Sequence, residues 1–235
     1  MAYNYFFLCT LLTFLLSFHG SISSKKMHMH YVVKNFASKT PGGIKFKKEI
    51  GIPFTKKIMG TINQFIWKTV LQQHNISDRK PVHTVNLYIV DFKGAEAVTW
   101  GNNYINVSSV YLHGYKGNLK WEFTSLLYHE MTHVFQWNGE GKAPVGLVEG
   151  IADYSILKAN YFPPGFAKPG SGHKWDQGYD FTARFLEYCD GLVPGFVAKL
   201  NKIRFTFHVK VFHELTGKHV EKLWKEYKAK HKHKH

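Results

Sequence analysis

The sequence is poor in cysteine and in acidic residues. It has two cysteines in 235 residues, and one of them, Cys9, lies in an N-terminal apolar run. If that run is removed, Cys189 is left alone and no intrachain disulfide can form, so a disulfide-stapled scaffold is excluded. The surroundings of Cys189, FTARFLEYC, read as an apolar helix face, which predicts a buried structural thiol. Acidic residues number 16 against 31 lysines and arginines, a formal net charge of +15. Such a charge favours anionic neighbours: acidic polysaccharide, anionic membrane or acidic protein. No C-x-x-C finger and no RNA-binding signature accompany it, so specific nucleic-acid recognition and a nuclease are not supported. A second long apolar run is also missing.

The one apolar run, FFLCTLLTFLLSF at 6–18, is short for a membrane span and fits the core of a secretory signal. GSISS at 20–24 suits cleavage, although no Lys or Arg precedes the run. The expected organisation is a signal peptide at 1–24, one domain at 25–230, and a basic His/Lys tail at 231–235. The other reading of the run is an uncleaved anchor. Cleavage gives a secreted, extracellular protein with no stable membrane anchor, expected to be a monomer. Two glycosylation sequons occur, Asn75-Ile-Ser77 and Asn106-Val-Ser108. The first sits in an exposed loop by its polar context, and the second in a strand-like segment.

Hydrophobic residues make up 44% of the chain and aromatics 16%, ample for a core without cross-links. YVVKNF and IKFKKEIG flank TPGG, which reads as strand, turn, strand. From Pro53 to about His74, apolar residues at Ile58, Met59, Ile62, Phe65, Ile66 and Val70 give helical spacing. VHTVNLYIVDF alternates as a half-buried strand. AVTW, Gly101-Asn102-Asn103 and YINVSSVYL read as a hairpin. Helical patterns then cover about 117–137 and 144–158, resume at WDQGYDFTARFLEYC and GFVAKLNKIR, and continue to LWKEYKAK. Strands first and helices later predict an α+β domain, with an N-terminal mixed or antiparallel sheet and a helical C-terminal half.

The chemistry concentrates at LYHEMTHVFQWNGEGKAPVGLVEGIADY, 127–154. A random chain of this composition contains H-E-x-x-H about 4% of the time, so the motif needs context. Here it lies in an unbroken helical pattern. Residues i and i+4 of a helix stack on one face, so His129 and His133 present two imidazoles to one point, at a separation Zn²⁺ can bridge. Glu130 projects beside that point, placed to touch a water without holding the metal. A third ligand is still required. Gln136 and Gly139 exclude the extended motif that uses a third histidine. Glu149, on a helix after a turn containing Gly139, Gly141 and Pro144, is the candidate. Gly146 and Gly150 flank it and are expected to let the two helices approach. Asp153, one turn further, is placed to accept the free N–H of a ligating histidine and fix its tautomer, and is assigned to His129 by analogy.

These motifs resemble the plant basic secretory protein family, a group of secreted zinc peptidases. The resemblance runs over nearly the whole mature chain: TPGGIKF, FIW, DRKPV, LYHEMTHVFQWNGEGKAP, GLVEGIADY, KPGSGHKWDQGYDFTARFLEYC, GFVAKLNK, LTGKHVEKLW and YKAK. It implies a gluzincin-like zincin fold and an association with defence or stress in the apoplast. Metal ligands at His129, His133 and Glu149, the general base Glu130 and the supporting Asp153 carry over intact. Tyr179 in WDQGYD is the candidate oxyanion donor, with His173 behind it. Packing accounts for Trp137, Trp175 and Trp224 better than a cleft does. AEAVTWGNNYINVS and RFTFHVK depart from the family pattern. A peptide or protein substrate adding to an edge strand at about Tyr104–Val107 would make that departure a matter of specificity. Zinc-dependent hydrolysis is the leading expectation. The alternative is a basic defence or wall-binding protein whose zinc site is structural or vestigial.

Overall fold

The computed structural model describes residues 28–203 and 206–232. The expected signal peptide at 1–24 lies outside the described residues, as does the end of the expected basic tail at 231–235. The chain opens with β1 (His30–Asn35), α1 (Pro41–Glu49) and α2 (Ile52–Phe65), whose last turn widens into a π-helical turn at Ile66–Val70. Then come β2 (Thr84–Val90), β3 (Ala97–Trp100), β4 (Tyr104–Ser108) and α3 (Ser109–Gly114). The rest is helical: α4 (Leu119–Phe135), α5 (Val145–Lys158), α6 (Tyr179–Leu192), α7 (Phe196–Asn201), α8 (Val211–Thr216) and α9 (Val220–His231). The fold is α+β, with an N-terminal mixed sheet and a helical C-terminal half.

The sheet order is β1-β2-β4-β3. β1 and β4 both run parallel to β2, and β3 pairs antiparallel with β4. The β3–β4 hairpin turns through Gly101 and Asn102, both at positive φ, the geometry a tight reversal needs. Because β4 inserts between β2 and β3, Tyr104–Val107 is an interior strand. The edge strands are β1 and β3, and β3 is the one at the cleft, which corrects the expected place of a substrate strand by one strand.

A second correction concerns TPGG. It starts a helix instead of turning between strands. The Thr40 hydroxyl accepts from Gly43 N at 3.1 Å, and Pro41 occupies the first helical position, where a missing N–H costs nothing. The glycines serve packing: a Cβ on Gly42 would lie 1.7 Å from the Ser109 carbonyl oxygen, and one on Gly43 1.9 Å from that of Ala37. At the far end of the hairpin strand, Ser108 caps α3 through Tyr111 N, so VYL is helical rather than extended.

Val85, Leu87 and Ile89 of β2 and Ile105 and Val107 of β4 are fully buried on one sheet face. α2 and α4 pack there. α4 is buried on most sides, with Phe123, Leu127, Met131, Val134 and Phe135 in the core. Its Thr132 hydroxyl donates to Ser155 Oγ of α5 at 2.8 Å, and Ser155 donates to Tyr128 O at 2.8 Å. Trp175 packs on Phe212, Trp224 packs on Phe185, and the Trp137 indole donates to Asp78 O, so packing does account for these tryptophans. Cys189 is a free, fully buried thiol, and burial pushes its pKa up.

Candidate metal centre

α4 supplies His129 and His133 from successive turns of one face. α5 comes back across it after the turn at 136–144, where Gly139, Glu140 and Gly141 all take positive φ. The two imidazole Nε2 atoms lie 3.0 Å apart. Glu149 Oε2 sits 3.2 Å from His129 Nε2 and 3.5 Å from His133 Nε2. The three ligand atoms fall within 4.8 Å of one another, and theirs is the one such cluster among the described residues.

The outer nitrogens of both rings are held. His129 Nδ1 is 2.6 Å from Asp153 Oδ1, the histidine assigned to Asp153 by analogy. His133 Nδ1 is 2.8 Å from Gln136 Nε2. Burial disfavours a charged His129, but Asp153 and Glu149 outweigh it and push its pKa to about 10. Burial also works against ionised Glu149, while the two histidines hold it at about 2. Two ring nitrogens and a carboxylate oxygen converging on one point, with fixed outer contacts, suit a borderline-soft divalent cation such as zinc. A metal entering there displaces a proton from His129.

Glu130 lines the same cleft as the triad and is 5% exposed. Thr99 of the edge strand donates to its Oε2 at 2.5 Å, and the same hydroxyl lies 3.1 Å from the Glu130 carbonyl oxygen. Tyr179 opens α6, is 56% exposed, and lies parallel to His129 with ring centroids 6.1 Å apart. Its φ is +46, a costly conformation for a bulky residue. The charge of Glu149, then burial, raises its pKa, so the hydroxyl keeps its proton and remains a donor. His173 does not line the site; its backbone N–H bonds to Gln177.

These groups line an open cleft of about 1020 Å³. One wall is β3 with Thr99 and Trp100, and another is the loop at 163–166. That loop is tied to α6 by Ala167 N donating to Asp180 Oδ2 at 2.8 Å. Glu96 and Glu122 stand on the rim. Burial, then Glu122, raises the Glu96 pKa, and Tyr111 donates to Glu122 at 2.5 Å. Thr99, Trp100, Glu96 and Glu122 were not singled out from the sequence. They reach the site through strand pairing and a helix turn two turns upstream, which no local spacing reveals.

A family model described as a peptidase of plants and bacteria matches residues 26–227. The chain belongs to that family. A relative named basic secretory protease, from Boswellia serrata, is 48% identical over 56 residues, 24% of this chain and 64% of that protein. The chain thus spans less than two thirds of that relative's length. No solved structure matches. No described helix is long and apolar enough to cross a membrane.

Proposed function

We propose that the protein is a secreted zinc peptidase that hydrolyses peptide bonds in the cleft between β3 and α4, acting in plant defence or stress responses in the apoplast. The observation that carries the reading is the convergence of His129, His133 and Glu149, with Glu130 buried beside them and spared from the triad.

His129, His133 and Glu149 would hold the ion. When bound, zinc supplies Lewis acidity and lowers the pKa of a water. Asp153 fixes the His129 ring so that Nε2 faces the site. Glu130 accepts the proton of the attacking water and delivers it to the leaving amine. The Thr99 hydroxyl occupies one carboxylate oxygen and leaves the other to face the water. Tyr179 donates from the opposite wall to the oxygen that gains charge in the transition state. Turnover in Tyr179→Phe equal to the wild type would remove that role.

Metal analysis by mass spectrometry, wild type beside His133→Ala, tests the site. About one zinc per chain is expected, lost in the variant. Glu130→Gln then keeps the zinc and loses peptide hydrolysis. Wild-type protein that takes up no zinc after incubation with the metal sinks the reading. The net charge of +15 favours a second function, a basic wall-binding or defence protein with a structural zinc. Wall binding that survives Glu130→Gln, in protein that never hydrolyses peptides, would select it.

A further inference from the structure

The helices cover one face of the sheet: Tyr31 reaches α2 through Asn63, and Thr99 reaches α4 through Glu130. The side chains that alternate with them point to the other face. There an aromatic stripe runs from the end of β1 across β2, β4 and β3. Phe36, just past β1, meets Tyr88 of β2 edge-on with ring centroids 5.1 Å apart. Tyr88 meets Tyr104 of β4 at 6.1 Å, and Tyr104 stacks on Trp100 of β3 at 4.6 Å. The two ends are open, Phe36 at 64% and Trp100 at 51% exposure. Cross-strand aromatic pairs stabilise a sheet, but stability alone does not require the end rings to face solvent. Contiguous exposed apolar surface marks a contact site.

The outward positions of the four strands carry one lysine, Lys34. Lys34 pairs in register with Tyr88 and places its Nζ 6.0 Å from the Phe36 ring centroid. No acidic residue occupies the outward positions of the four strands.

We propose that this face binds an acidic polysaccharide, a chain of uronic-acid pyranosides. The C–H face of a pyranose ring carries partial positive charge and lies favourably on the negative face of an aromatic ring. Lys34 pairs with a carboxylate of the chain, and the net positive charge of the protein favours the approach of an acidic polymer. A linear polymer fits a stripe one ring wide that runs strand to strand, and its far end, Trp100, opens onto the cleft. The inference goes beyond the peptidase reading and does not rest on it: binding is expected in metal-free protein as well.

Polygalacturonate binding, compared with a neutral galactan by calorimetry on the mature secreted protein, is the test. Polygalacturonate is expected to bind and the neutral polymer to bind more weakly. Phe36→Ser, far from the cleft, should weaken binding about tenfold, the scale of one lost aromatic contact, with an unchanged melting temperature. Trp100→Ala serves as a second variant from the other end of the stripe. Lys34→Gln should weaken binding and flatten its salt dependence. Variants that bind polygalacturonate like the wild type would reduce the effect to general charge attraction and overturn the proposal. So would stripe-dependent binding of anionic lipid vesicles without polygalacturonate binding. An intact mass showing a glycan on Asn106, which lies on this face between Tyr88 and Val98, would also overturn it, because the chain's own sugar would then cover the stripe.

Discussion

Glu130 reaches the cleft from the same helix as the histidines, yet its orientation is set from another element. Thr99 on β3 donates to its carboxylate at 2.5 Å. A hydrogen bond to an ionised, buried acceptor contributes about 1.5–3 kcal/mol. Removing it frees the carboxylate to turn toward the histidines or to take a second water. Thr99→Val keeps the shape of the side chain and deletes the donor. Its expected effect is a fall in kcat of about tenfold or more with KM and zinc content unchanged, while Thr99→Ser restores turnover. Steady-state kinetics beside metal analysis checks this. A Thr99→Val enzyme as fast as the wild type would mean that Glu130 needs no help from the edge strand. The residue was invisible in the sequence for a physical reason. His129, Glu130 and His133 are related by helical geometry, which depends only on spacing along the chain. Thr99 is related to Glu130 by strand order, which depends on where β4 inserts.

The same division holds among the elements. Glu149 and Asp153 sit four residues apart on α5 and meet the histidines as their spacing predicts. The expected reason for the close approach was incomplete, however. Gly146 and Gly150 do not face α4. A Cβ on Gly146 would lie 1.9 Å from the Asp176 carbonyl oxygen, and one on Gly150 2.3 Å from Thr182 Cγ2. They admit α6 and the turn before it, which carries Tyr179 to the site. The α4–α5 contact is instead made by Thr132 and Ser155. Alanine in a helix is favoured over glycine by about 1 kcal/mol. Overpacking costs about 1–3 kcal/mol, and here the obstacle at Gly146 is backbone that cannot rotate away. Gly146→Ala is therefore expected to lower stability in denaturant melts and to reduce turnover more than zinc content, because Tyr179 moves while the ligands stay. Gly150→Ala, facing a side chain, should be the milder of the two. An unchanged or raised stability for Gly146→Ala would contradict the packing. The misreading of TPGG has a related origin. An alternating IKFKKEI can be strand or helix, and the capping hydroxyl of Thr40 with Pro41 at the first position decided for the helix.

At the scale of the molecule, the metal centre joins two helices that Thr132, Ser155 and Tyr128 already hold together. His129 and His133 come from α4 and Glu149 from α5, with the turn at 136–144 between them. A ligand that binds only the folded state stabilises it by about 2.7 kcal/mol at a hundredfold excess over its dissociation constant. For a domain of this size each kcal/mol raises the melting temperature by about 2–4 °C. Zinc added to metal-free protein should then raise the melting temperature by about 5–10 °C, and chelation should reverse the rise. Glu130→Gln should keep the rise, since Glu130 holds no metal. His133→Ala should abolish it, since two ligands on one face cannot close a tetrahedral site. Scanning calorimetry of the three proteins, with and without zinc, separates stabilisation from catalysis. A rise that persists in His133→Ala would place the zinc elsewhere, with the exposed histidines of the chain as the alternative. A rise lost in Glu130→Gln would make Glu130 a ligand and leave the cleft without a base.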